Sequence, residues 1–205
     1  MVTSVMPNGG EEGIVYDAGP QPGGREPAPW RLGLVQAFVN SWYDLEHEHG
    51  AELLSDPPAL GHWLARRGLV APGASVSAAE LHRALALRAG LRALLIANNG
   101  GELDRDAVVA LDAAAAHAPV TIGLAGGDRP ELRAAAAGVD GALALVLAGA
   151  ARAMLDGSWD RFKACRQHDC RWAFYDHSRN GAGNWCSMAV CGGRAKQRAY
   201  YRRRR

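Results

Sequence analysis

Apolar positions recur at helical spacing through most of the chain. Leu32, Val35, Phe38, Val39 and Trp42 share one face and predict a helix opening near Arg31. Pro57-Pro58 suits the first turn of a short helix through Leu60, Trp63 and Leu64, with Gly68 as its stop. Ser77 with Glu80 three residues on forms a capping-box pair. It heads a long amphipathic helix bearing Leu81, Leu85, Leu87, Leu91, Leu94 and Leu95, which ends near Asn98-Asn99-Gly100-Gly101. Asp104 caps a further helix with Val108, Val109 and Leu111 on its face. Val120 to Leu124 reads as a short strand or hairpin arm. Pro130 then opens a helix to about Leu155, with a break at Gly138. The pattern predicts a mainly α N-terminal module, 31–158, of about six helices.

Two segments escape the helical period. Residues 1–30 are rich in Gly, Pro and acids and read as a flexible leader, with a short hairpin around Gly13-Ile14-Val15-Tyr16 as the alternative. From about 159 the alternation Arg171-Trp172-Ala173-Phe174-Tyr175 is that of a strand, which a hairpin between the second and third cysteines would use.

Charge divides the chain at nearly the same place. Residues 1–160 hold 11 Lys/Arg against 19 Asp/Glu, a net of −8, and residues 161–205 hold 12 against two, a net of +10. Such a split suggests modules with different partners. The longest uncharged apolar run, 141–151, has 11 residues, against the roughly 20 of a spanning helix. With no basic-then-apolar start either, a cytoplasmic chain without a membrane partner is expected.

All four cysteines fall within 27 residues, as Cys165-x4-Cys170-x15-Cys186-x4-Cys191. Two close pairs at this separation are a zinc-site pattern. Four thiolates close the tetrahedral shell of one Zn²⁺, so no water is activated and the ion is structural. Arg166, Arg171, Arg194 and Lys196 lie near enough in sequence to offset the thiolate charge, and His168 is a competing ligand by position. Buried or paired cysteines and an iron–sulfur cluster are the other uses of such a set. Seven cations follow in twelve residues: Arg194, Lys196, Arg198, Arg202, Arg203, Arg204 and Arg205. On a helix, Arg194, Arg198 and Arg202 form one line, and Arg179 adds a cation in the preceding loop. This surface fits nucleic-acid phosphate, a protein partner, or a merely solvated tail.

Other motifs carry less. His47-Glu48-His49 lacks the spacing of a helical zinc site, and Gly123-x-x-Gly126-Gly127 lacks the ending of a phosphate loop. No nucleophile–base or paired-carboxylate set stands out, so no enzyme activity is expected. Asn40 and Asp44, one helical turn apart, are read as a ligand-pocket pair or as a cap and surface pair.

Residues 165–205 closely resemble the CGNR zinc-finger family in Cys165 to Gly181, then Trp185-Cys186-Ser187-Met188-Ala189-Val190-Cys191-Gly192 and Arg194-Ala195-Lys196. In that family the finger follows a helical domain called ABATE. Phe38-Val39-Asn40 with Asp44, Leu60, Trp63-Leu64 and Leu91-Arg92-Ala93-Leu94-Leu95 are similar to that domain. The resemblance implies a treble-clef finger, made of a zinc knuckle, a β-hairpin and a helix whose first turn supplies the last ligand. It implies one zinc ion per chain, on the four cysteines. The implied role is stress-induced transcription regulation through DNA, with the helical domain sensing an effector or pairing with a second copy. An adaptor that meets the transcription machinery without touching DNA is the alternative. The chain departs from the family at Gly193, where the name-giving motif has Asn, and at Gly183-Asn184, where basic residues are usual.

Overall fold

The computed structural model describes residues 18–19, 21–43, 51–124 and 130–204. The alternative hairpin at 13–16, His47 to His49, Asp44, Gly126-Gly127 and Arg205 lie outside these residues.

Five helices build the N-terminal part: α1 (Leu32–Val39), α2 (Pro57–Ala65), α3 (Ala78–Asn98), α4 (Arg105–Ala115) and α5 (Gly138–Asp156). Their starts are set locally. Asp56 accepts the Ala59 N–H ahead of α2, and Asp104 accepts the Ala107 N–H ahead of α4. Ser77 and Glu80 close a reciprocal capping box on α3. Two antiparallel strand pairs interrupt the helices: β1 (Trp42–Tyr43) with β2 (Ala51–Glu52), and β3 (Val120–Gly123) with β4 (Glu131–Ala134). A third, β5 (Phe162–Ala164) with β6 (Ala173–Tyr175), opens the C-terminal part, and α6 (Gly193–Arg203) ends it.

The main core spans the helices and the β5–β6 pair, and a second, small cluster with Trp172 and Phe174 surrounds the cysteines. Phe38, Leu60, Leu64, Leu87, Leu91, Leu95 and Leu143 are shut from solvent, and Phe38 meets Trp63 edge-on at 5.8 Å. α3 and α4 approach closely at Gly90, where a Cβ would lie 2.3 Å from that of Leu111. α5 has the length and hydropathy of a membrane span, yet 56% of that stretch is buried inside the protein. It packs on α1, β4 and the 3₁₀ turn at Ser158–Arg161 as a core helix.

The structure departs from the sequence pattern in several places. The segment after Pro130 is strand β4, because pairing with β3 outweighs the helix propensity of Leu132 and Ala134; the helix begins only at Gly138. Trp42 leaves α1 and sits in β1, half exposed, under the Arg92 guanidinium. Val109 faces solvent, and Leu111 carries the buried face of α4. Five helices, not six, fill the module among the described residues. Nor is the leader loose up to residue 30. Arg25 donates to the carbonyls of Tyr175, Trp185 and Cys186 and lies over the Phe174 ring, so this stretch straps the C-terminal part.

Candidate metal centre and basic helix

The β5–β6 pair is the arm on which the cysteines are mounted. Its register, Ala164 opposite Ala173, leaves residues 165–172 as a tight connection carrying Cys165 and Cys170. The connection is closed by Cys165 N–H to the Trp172 carbonyl at 2.9 Å and Cys170 N–H to the Gln167 carbonyl at 3.0 Å. Arg171 completes the turn in the left-handed region, at φ 51°. The expected hairpin between Cys170 and Cys186 is therefore displaced: it encloses the first cysteine pair, and β6 leads into a loop. Its first strand, Phe162-Lys163-Ala164, is too short to show a period.

The second pair arrives from the other side. Arg166 N–H donates to the Asn184 carbonyl, which brings Cys186 beside the knuckle. Ser187 caps a π-type turn, Met188–Gly192, by accepting the Val190 N–H. That turn carries Cys191 and runs straight into α6.

All four sulfur atoms lie within 4.8 Å of one another and all four residues are buried. Cys170 to Cys186 and Cys186 to Cys191 are each 3.6 Å between sulfurs. A disulfide needs about 2.05 Å, whereas four thiolates at about 2.3 Å from one Zn²⁺ stand about 3.8 Å apart. The set fits one zinc ion; an iron–sulfur cluster would put several metal and sulfide atoms between the thiolates. His168 does not compete: its side chain is 87% exposed and its Nδ1 meets Asp169. Thiols this close oppose one another's ionisation. Hydrogen bonding from Cys170 holds the Cys165 thiol far down, while the bond to Cys165 pushes Cys186 far up. Without a positive ion, the four cannot all be thiolates.

Arg166 donates Nε to the Asn99 carbonyl. Arg92, from α3, is close enough for its charge to interact with Cys170. Burial first, and Arg88 next, pull its pKa down to about 10, with Cys170 and Glu52 opposing.

The finger is riveted to the helices by amides. Asn40 accepts the Ala173 N–H at 2.8 Å and donates to the Ala173 carbonyl at 2.9 Å; Gln36 donates to the same carbonyl. Asn98 donates to the carbonyls of Trp159 and Phe162, and Asn99 to those of Ala164 and Asn184. Asn40 is thus a clamp residue with its side chain spent on β6, not the wall of a ligand pocket. Asn98-Asn99, read only as a helix stop, has the same second duty. Arg25 and the buried pair Lys163–Asp176, 3.3 Å apart, gave no local signal.

Among the predicted nucleic-acid residues, Lys196, Arg198, Arg202, Arg203 and Arg204 are exposed on or just past α6, and Arg194 is half-buried at its start. Arg204 stacks over Tyr200 at 4.4 Å. None of the described side chains of α6 is buried, and the helix rests on the turn that holds Cys191. Arg179 is exposed in the separate loop after β6.

Comparison with known families agrees with this layout. The profile of the CGNR zinc finger matches residues 161–204. The ABATE profile, described as "putative stress-induced transcription regulator", matches residues 32–158. No curated protein matches the chain. On a match covering well over half its length, the chain belongs to the ABATE family, with a CGNR zinc finger as its C-terminal part.

Proposed function

We propose that the chain is a zinc-dependent DNA-binding transcription regulator of the cytoplasm, and a binding protein rather than an enzyme. One observation carries the reading: an acid-free helix, with Lys196, Arg198, Arg202 and Arg203 exposed, starts directly from the turn holding Cys191. A rigid base under a cationic helix suits a duplex groove or phosphate row. The order of the finger, knuckle, strand, loop and ligand-bearing helix start, supports a treble-clef reading. The helical domain is the sensing or pairing half, for a small effector or a second copy of the chain. A groove of about 570 Å³ lies between α2 and the 72–76 loop, lined by Pro58, Gly61, His62 and Val76.

Gel shifts of the zinc-loaded protein with random duplex DNA test the reading. If about five cations meet phosphate, log affinity falls with log salt at a slope near −4.5. Absence of binding at low salt sinks it. A protein partner is the second reading, favoured by Met188, Tyr200 and Tyr201, which are half exposed or more among the charges. Its complex would survive salt that abolishes DNA binding.

A further inference from the structure

The cations of α6 are not equivalent. A groove of about 420 Å³ runs between the zinc knuckle and α6, walled by Arg166, Gln167, Asp169, Trp185, Arg198 and Arg202. Arg166 comes from the knuckle and Arg198 and Arg202 from one side of the helix, so two elements contribute three arginines to the walls of one groove. Arg203 and Arg204 are not among its walls. With Asp169 as the acid facing the groove, its walls carry a net charge of two positive units.

The groove is also braced. Arg198 donates Nη2 to Oε1 of Gln167, a buried knuckle residue, which ties helix to knuckle. Arg166 is anchored through Nε on the Asn99 carbonyl at the end of α3. In these bonds each arginine uses one nitrogen of its five-donor fork. Both oxygens of Asp169 are engaged, by Gln167 Nε2 at 3.1 Å and His168 Nδ1 at 3.2 Å. Trp185, packed on the cysteine cluster, supplies an apolar wall beside the cations.

We propose that this groove is the seat for a nucleic-acid phosphodiester, gripped by Arg166, Arg198 and Arg202, and that Arg203 and Arg204 add only diffuse attraction. The inference rests on the DNA-binding reading for its ligand, while the groove is testable alone. Forked guanidinium groups match the tetrahedral oxygens of phosphate, and prior anchoring lowers the cost of ordering them.

Two measurements on the zinc-loaded full chain decide it. Inorganic pyrophosphate is titrated while the arginine Nε–H and tryptophan Nε1–H signals are followed by NMR. Saturable shifts at Arg166, Arg198 and Trp185 that spare Arg203 and Arg204 are expected. Equal, non-saturating shifts along α6 overturn the seat. Duplex DNA affinity is then compared for the doubles Arg198→Ala/Arg202→Ala and Arg203→Ala/Arg204→Ala, which lose the same charge. Their zinc content checks that both fingers stay loaded. The first is expected to lose at least about tenfold more affinity than the second. Its salt slope should fall by about 1.8. Equal losses overturn the seat and leave DNA binding standing. Saturable pyrophosphate shifts without duplex binding keep the seat, as one for a free phosphate ligand, and sink the DNA reading.

Discussion

The side chain of Asn40 does for Ala173 what a neighbouring strand would do, accepting its N–H and donating to its carbonyl. Both residues are buried, so neither backbone group can turn to water. Asn40→Ala leaves the Ala173 N–H without an acceptor, although Gln36 still serves the carbonyl. The expected cost is about 2 kcal/mol, read as a lower urea midpoint at unchanged slope. A neutral result would contradict the clamp. Single residues were legible in the sequence to unequal degree. The cysteines declare themselves, because metal chemistry fixes residue type, number and spacing together. Asn40 shows no such signal; its partner lies 133 positions away, and a polar residue at a helix end has many uses.

At the scale of elements, local chemistry was legible and pairing was not. The Ser77–Glu80 box and the Asp104 cap set helix starts from adjacent residues, so α3 and α4 begin where the pattern puts them. β4 was hidden, because Leu132 to Ala137 favours a helix and only β3 makes it a strand. β5 was hidden because three residues are too few to show a period. The loop after β6 shows what a pair of elements can build. Lys163 on β5 reaches Asp176 and the carbonyls of Gly181 and Gly183, and Asp176 accepts the Gly183 N–H. Burial would raise the pKa of Asp176. Hydrogen bonds from the Ser178 hydroxyl and the Gly183 and Ser178 N–H groups, together with Lys163, hold it down at about 2. A folded value below the unfolded 3.8 means the carboxylate stabilises the fold above that pH. The contribution is lost as pH falls from about 4 to about 2. Asp176→Asn should cost about 3 kcal/mol at neutral pH, because Lys163 is left buried without its partner. The gap between wild type and variant should close over that acid window. A gap that ignores pH contradicts the account.

At the scale of the whole molecule, two sequence modules share one interior. The charge split near residue 160 does not mark a boundary between folding units. Phe162, Ala164, Ala173 and Tyr175 of the finger belong to the same buried cluster as α1, α3 and α5. Arg25 ties the N-terminal strap to the carbonyl of Cys186. The shared core predicts that losing the metal destabilises the helices together with the finger. Chelation should lower the melting temperature of the far-UV helix signal by about 5 °C or more, since each kcal/mol moves a chain of this size by about 2–4 °C. Helices that melt at one temperature with and without metal would restore independent modules.

Every step from the knuckle to the basic helix assumes one zinc ion on Cys165, Cys170, Cys186 and Cys191. Native mass spectrometry of the reduced chain tests this most directly. The account predicts a folded charge envelope with the mass of a single zinc ion above the bare chain, and loss of that ion in Cys186→Ser. A folded, reduced chain of bare mass would contradict it.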